Sequence, residues 1–201
     1  MQDDNPPKPS DADIVRQVLD GNVDAFELLL ARHKDHVLRV VGKHVPYEEV
    51  QETAHLVFIK AYQSLGTFQG KGHFVQWLSR IAVRTCYDYW RQHYKTREVP
   101  IGSLSERQED WLEKVMAEES AKSFYEDASR REAREFLDWA LDALSAEERM
   151  VLELVYLEGL SGREAAELLG WSVANVKIRS FRARKRLQKV LASVMKGQEE
   201  R

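Results

Sequence analysis

Between Val173 and Lys189 stand seven basic side chains, Lys177, Arg179, Arg182, Arg184, Lys185, Arg186 and Lys189, and no acidic one. A helix with that much uncompensated positive charge calls for an anionic partner, and DNA phosphates supply one. The residues in front of the run have the spacing of a helix-turn-helix. Ser161 and Glu164 form a capping-box pair, Ala165, Leu168 and Leu169 mark one face, and Gly170 suits a helix end. Ser172 can then cap a second helix with Val173, Val176 and Ser180 turned inward. Ala166, Gly170 and Val176 supply a small residue at the crossing, a flexible turn and a β-branched anchor. An ordinary helical hairpin has the same spacing; the charge favours DNA.

A second basic island lies between Phe68 and Arg97, with six basic residues against the single acid Asp88. It opens with a glycine-rich loop, Gly66 to His73, and continues into a helix expected from Phe74 to about Gln92. One face of that helix carries Gln76, Arg80, Arg84, Tyr87 and Arg91 at steps of four, four, three and four. Cations interleaved with aromatic rings suit a single strand, with charge along the backbone and rings for unstacked bases. A solvated basic face with incidental tyrosines is the plainer alternative.

These islands sit in a chain of 201 residues whose formal net charge is only −3. The balance hides segregation, because Leu104 to Glu148 holds fourteen acidic and six basic residues. Two basic islands and an acidic spacer suggest two nucleic-acid contacts. No stretch approaches the roughly 18 consecutive apolar residues of a membrane span, and no signal peptide opens the chain. Cys86 is the single cysteine; it has no partner for an internal disulfide, which fits a cytoplasmic location, and burial in a helix is expected for it. The six histidines form no ligand pattern with cysteine; His33 and His36 share a helical turn with nothing beside them to complete a metal site. No phosphate loop, nucleophile motif or acid–base pair is present. Neither an enzyme nor a cofactor is expected.

The elements that position both islands are helical throughout, since strand alternation is nowhere sustained. Residues 1–10 read as a disordered polar tail. Helices are expected at Asp11 to Asp20, Asp24 to His44 and Tyr47 to Leu65. The second buries Phe26, Leu29, Leu30, Val37, Val40 and Val41; the third buries Val50, Ala54, Val57, Phe58 and Ala61. Glu98 to Ser129 loses periodicity and reads as an extended acidic linker, with a transient helix at Trp111–Met116. Patterning resumes at Arg130 to Leu144, and Ser145 caps a helix holding Met150, Val151, Leu154 and Val155. The fold class is all-α: two small helical domains, 11–95 and 130–195, joined by a flexible acidic linker at 96–129, the C-terminal domain a helix-turn-helix.

The two islands, in this order, resemble the extracytoplasmic-function (ECF) group of bacterial RNA polymerase sigma factors. LEGLSGREAAELLGWSVANVKIRSFRARKRL is similar to that family's fourth conserved region, and FQGKGHFVQWLSRIAVRTCYDYWRQ to its second. The resemblance spans roughly residues 11–95 and 130–192. It implies a protein that binds core RNA polymerase and directs promoter-specific initiation. The helix from Ser172 is then expected to read the −35 element in the major groove, with Ser172, Asn175, Lys177, Arg179, Phe181 and Arg182 at the contact positions. Phe68, Lys71, His73, Gln76, Arg80, Arg84, Tyr87 and Arg91 are expected to melt and read the −10 element. The helix around Glu52 to Tyr62, with Glu52, His55 and Phe58, is expected to meet the polymerase clamp. The linker would thread the polymerase channel, and an anti-sigma factor is the expected inhibitory partner. The chain departs from the family at His55-Leu56, where a polar pair is usual, and at Arg84, where asparagine is common. Read from the residues alone, a stand-alone helix-turn-helix activator with a helical sensor domain is the other candidate.

Overall fold

The computed structural model describes residues 9–68, 73–96 and 137–199, with side chains for all of these except 95–96 and 191–199. The expected linker beyond Thr96, its helix at Trp111–Met116, Lys71, and residues 1–8 of the tail lie outside the described residues; Thr96 itself ends a helix. Every described element is a helix or a helical turn. The chain divides into two compact units, Met1–Trp90 with Ala166–Trp171, and Arg91–Ala165 with Ser172–Arg201.

The first unit is built on α1 (Asp11–Leu19), α2 (Phe26–Val41), α3 (Val50–Gln63) and the greater part of α4 (Phe74–Thr96). Ser10 starts α1 through a capping box: its hydroxyl accepts from Asp13 N at 3.2 Å, and the Asp13 carboxylate accepts from Ser10 N at 3.3 Å. The Ser10 hydroxyl, 2.6 Å from Asp13 Oδ2, and then the Ser10 N–H bond to the charged form and hold the Asp13 carboxyl below the ordinary aspartate range. Ser10 therefore belongs to the fold, whereas the sequence places it in the tail.

Ile14, Val15 and Val18 of α1 enter the core with Leu29, Val37 and Val41 of α2. From α3 come Ala54, Val57, Phe58 and Ala61, and from α4 Leu78, Ala82, Val83 and Cys86. Cys86 is buried in a helix as expected. The expected face of α2 needs correction: Phe26 and Val40 are only half-buried. Leu30 is exposed, and the inward position is taken by His33. A buried imidazole needs polar partners, and His33 Nε2 has one in Asp11 Oδ2 at 3.0 Å. Arg32 Nη1 donates to the other oxygen of the same carboxylate at 2.5 Å. The start of α1 is thus tied to α2 by charge as well as by apolar contact.

The second unit contains a helix at 137–142, which we call α5, then α6 (Ala146–Leu152), a π-turn at Glu153–Leu157 and α8 (Val173–Glu199). Between them lies α7 (Gly162–Leu169), across which the division of the two units runs. Ser145 caps α6 as the sequence suggests, accepting from Glu148 N at 3.3 Å. Leu141, Leu144, Leu152 and Ala183 form an apolar cluster, with Leu137 and Leu187 packed against it. The π-turn is not legible in the sequence. Glu158 N donates to Glu153 O at 2.9 Å, an i to i+5 bond, and Leu160 N reaches Leu154 O at 3.0 Å. One widened turn ends α6 and directs the chain toward α7.

Candidate nucleic-acid interface

Hydrogen bonds confirm both predicted caps of the hairpin. Ser161 Oγ accepts from Glu164 N at 3.2 Å, and the Glu164 carboxylate accepts from Ser161 N at 2.8 Å. The Glu164 carboxyl is held below its ordinary range by the Ser161 side chain and then by the Ser161 N–H, both bonding to its charged form. Gly170 has φ +73°, the left-handed conformation that lets a helix stop in one residue. Trp171 N then donates to Ala166 O at 2.9 Å, closing the turn. Ser172 Oγ accepts from Asn175 N at 3.2 Å and starts α8.

Three residues fix the orientation of α8. Val176, Ser180 and Ala183 are buried, and a Cβ added at Gly162 would lie 3.9 Å from Val176 Cγ1. The opposite side, at steps of four, three and four, is Ala174, Ile178, Phe181 and Lys185, all exposed. Lys177 and Arg182 flank it and are exposed as well. Asn175 and Arg179 stand apart from this side: both are half-buried, and Arg179 Nε donates to Asn175 Oδ1 at 2.7 Å. The hairpin thus presents Lys177, Phe181 and Arg182 outward and couples Asn175 to Arg179 on a flank. Lys185 Nζ lies 4.9 Å from the centre of the Phe181 ring, a cation–π contact. Sequence reasoning left out Ile178, although its position opposite Val176 can be read from helical periodicity.

Along α4 stand Gln76, Arg80, Arg84 and Tyr87 in the first unit and Arg91 in the second. The loop in front of α4 is bracketed by aromatic rings. Phe68 enters it and Phe74 leaves it, with ring centroids 5.3 Å apart and planes at 85°. Trp77 packs on both, at 5.7 Å from Phe68 and 5.2 Å from Phe74. His33 stacks behind Phe74 at 5.1 Å. His73 is exposed at the helix start. The two ends of the loop therefore meet in one aromatic cluster with Trp77.

Between α3 and α4 lies a groove of about 430 Å³ lined by Lys60, Gln63, Ser64, Ile81, Arg84, Thr85 and Asp88. Lys60 Nζ donates to Asp88 Oδ2 at 2.9 Å on its wall. The groove offers an apolar floor with donors and acceptors around it. Lys60 and Asp88 carry no motif signal; only the pairing of α3 with α4 brings them together.

Glu52 and His55 are exposed on α3, whereas Phe58 is 8% exposed and belongs to the core. The large apolar and aromatic residues that α3 does present are Leu56, Ile59 and Tyr62. All three are accessible because the inward positions of the helix are already taken by Thr53, Ala54, Val57, Phe58 and Ala61.

Among the described residues no group of three or more His, Cys, Asp or Glu could hold a metal ion. Among them too, no helix is long and apolar enough to cross a membrane.

Comparison with known proteins covers both units. Residues 29–96 match the sigma-70 region 2 family and residues 137–187 match the sigma-70 region 4 family. The ECF RNA polymerase sigma-E factor of Escherichia coli K12 is 31% identical over 175 residues, 87% of this chain and 91% of that protein. The RNA polymerase sigma-H factor of Pseudomonas aeruginosa is 29% identical over 187 residues, 92% of this chain and 96% of that protein. Among solved structures, CnrH in complex with the cytosolic domain of CnrY is similar at a TM-score of 0.51 and 26% identity, covering 91% of this chain and 97% of that one.

Proposed function

Because the chain belongs to the ECF sigma factors of bacterial RNA polymerase, we propose that its two basic surfaces divide promoter recognition between them. The outward side of α8 reads the −35 element, and the loop before α4, with the basic side of α4, opens and reads the −10 element. The observation that carries this reading is the face of α8 opposite its buried anchors, where Lys177, Phe181 and Arg182 are exposed together. Lys177 and Arg182 offer positive charge to phosphates or base edges, and the Phe181 ring offers apolar area to the groove. Ser172 and Asn175 lie at the start of the helix, where the recognition helix of such a hairpin meets bases. Arg179 acts there with Asn175, its hydrogen-bonded partner.

Melting needs two things: a place for an unstacked base and a source of free energy. Phe68, Phe74 and Trp77 hold the ends of the loop, and His73, Gln76, Arg80, Arg84, Tyr87 and Arg91 serve the strand, with Lys71 as a further cation for its phosphates. The groove between α3 and α4, with Ile81 beneath and Lys60, Gln63 and Asp88 around it, suits the hydrogen-bonding edge of a base. Unstacking costs on the order of 1–2 kcal/mol per base-pair step, more than one small basic surface supplies over several steps. Core RNA polymerase provides the remainder, docked on the exposed face of α3 through Glu52, His55, Leu56 and Ile59, with Phe58 supporting that face from within. The chain acts in the cytoplasm, performs no catalysis itself, and is inhibited by an anti-sigma factor. The stand-alone activator is not favoured, because the relatives match both units in one chain.

Permanganate footprinting tests this reading. The protein alone binds promoter DNA weakly and leaves thymines stacked; with core polymerase, thymines of the −10 element become reactive. Tight duplex binding without core, and no reactivity when core is added, would refute it.

A further inference from the structure

We propose that Ile178 is a specificity-determining residue of α8, reading the C5-methyl group of a thymine in the upstream element. The inference rests on the reading of α8 as the recognition helix and goes beyond it in naming a residue, a contact and a base. Ile178 is 52% exposed, on the side of α8 opposite Val176, Ser180 and Ala183. Its neighbours along that side are Ala174 and Phe181, and charges stand to either side in Lys177 and Arg182. The flanking charges bring this stripe against an anionic surface, so a polyanion covers it better than a neutral protein face does.

The chemistry of the groove narrows what Ile178 can recognise. Its side chain has no donor and no acceptor, so it gains nothing from the polar base edges. The apolar group that a base pair displays in the major groove is the thymine methyl. A β-branched side chain on a helix is held in one χ1 rotamer, so little entropy is lost when it is buried. Phe181 differs in offering a flat ring, one face of which engages Lys185. Isolated exposed apolar residues are common and often do nothing, so the test must separate a contact from an accident.

The test uses the full chain bound to core polymerase. The upstream element is first recovered by selection from randomised duplexes, and each thymine in it is then replaced singly by deoxyuridine, which lacks the methyl. For the wild-type protein, one such replacement weakens binding roughly three- to fivefold, the scale of one buried methyl group. Ile178→Ala binds the unmodified duplex more weakly by a similar factor and is indifferent to deoxyuridine at that position, whereas Ile178→Val keeps the sensitivity. The inference is overturned if no deoxyuridine position weakens the wild type, if the selected element holds no thymine, or if Ile178→Ala keeps the full penalty. Weaker binding of Ile178→Ala to core polymerase in the absence of DNA also overturns it, assigning the side chain to a protein contact. Recovery of no upstream element at all refutes the recognition-helix reading itself, a separate result.

Discussion

Arg149 Nε donates to Glu153 Oε1 at 2.8 Å, one helical turn apart, with both side chains only 5% exposed. The guanidinium also reaches Asp142 at 2.8 Å and Asp138 at 3.2 Å on α5. One buried cation thus joins α5, α6 and the π-turn, and α5 and α6 carry the apolar cluster against which α8 packs. Removing one member of such a buried set leaves charge uncompensated and costs about 3–5 kcal/mol. Arg149→Met is expected to lower the thermal midpoint sharply. Arg149→Met combined with Glu153→Met should recover part of the loss, as scanning calorimetry of the three proteins can show.

The turn of the hairpin gives a second prediction. At φ +73°, Gly170 occupies a conformation that costs an L-residue about 1–2 kcal/mol. Gly170→Ala should reduce stability by that order and weaken upstream-element binding. Gly170→Asn, which tolerates the left-handed region better, should fall between. Chemical denaturation alongside DNA titration checks the ranking.

His36 makes stability depend on pH. Its imidazole lies against Ser79, with Nε2 at 2.8 Å from Oγ, and the Ser79 hydroxyl donates to Val75 O at 2.8 Å. Burial, then the charge of Arg39, then His33, holds its pKa below the ordinary 6.5. Between the folded and unfolded values the unfolded chain binds more protons, so stability rises with pH there. The contribution is fully present above about pH 6.5 and is lost as pH falls toward the folded value. Denaturation midpoints at pH 7.5 and 5.5 should differ less in His36→Gln than in the wild type.

Phosphate and base contacts on α8 separate by salt. If Lys177 meets a phosphate, Lys177→Ala should weaken binding of the holoenzyme evenly across sequences and reduce the slope of log K against log salt by about 1. If Arg182 meets a base edge, Arg182→Ala should cost about 1–3 kcal/mol and relax preference at one position. Binding isotherms at several salt concentrations, on the selected element and on single-base variants, distinguish the two.

By itself the sequence determined what is local. Helical period fixed the buried stripe of α3 and the long α4. Ser145, Ser161 and Ser172 marked helix starts, because a cap is made by residues two or three apart. The uncompensated charge from Val173 to Lys189 gave the partner class without any coordinates. The tertiary structure decided the fate of residues whose partners are distant. His33 sits in a core position because Asp11, on another helix, satisfies it. Arg149 is buried because three carboxylates converge on it, two of them from α5. Lys60 meets Asp88 across a groove that neither helix contains alone. Periodicity tells which side of a helix is apolar; it does not tell which neighbour will cover that side. That depends on packing between elements far apart in the chain, and with it the difference between a core residue and a contact residue.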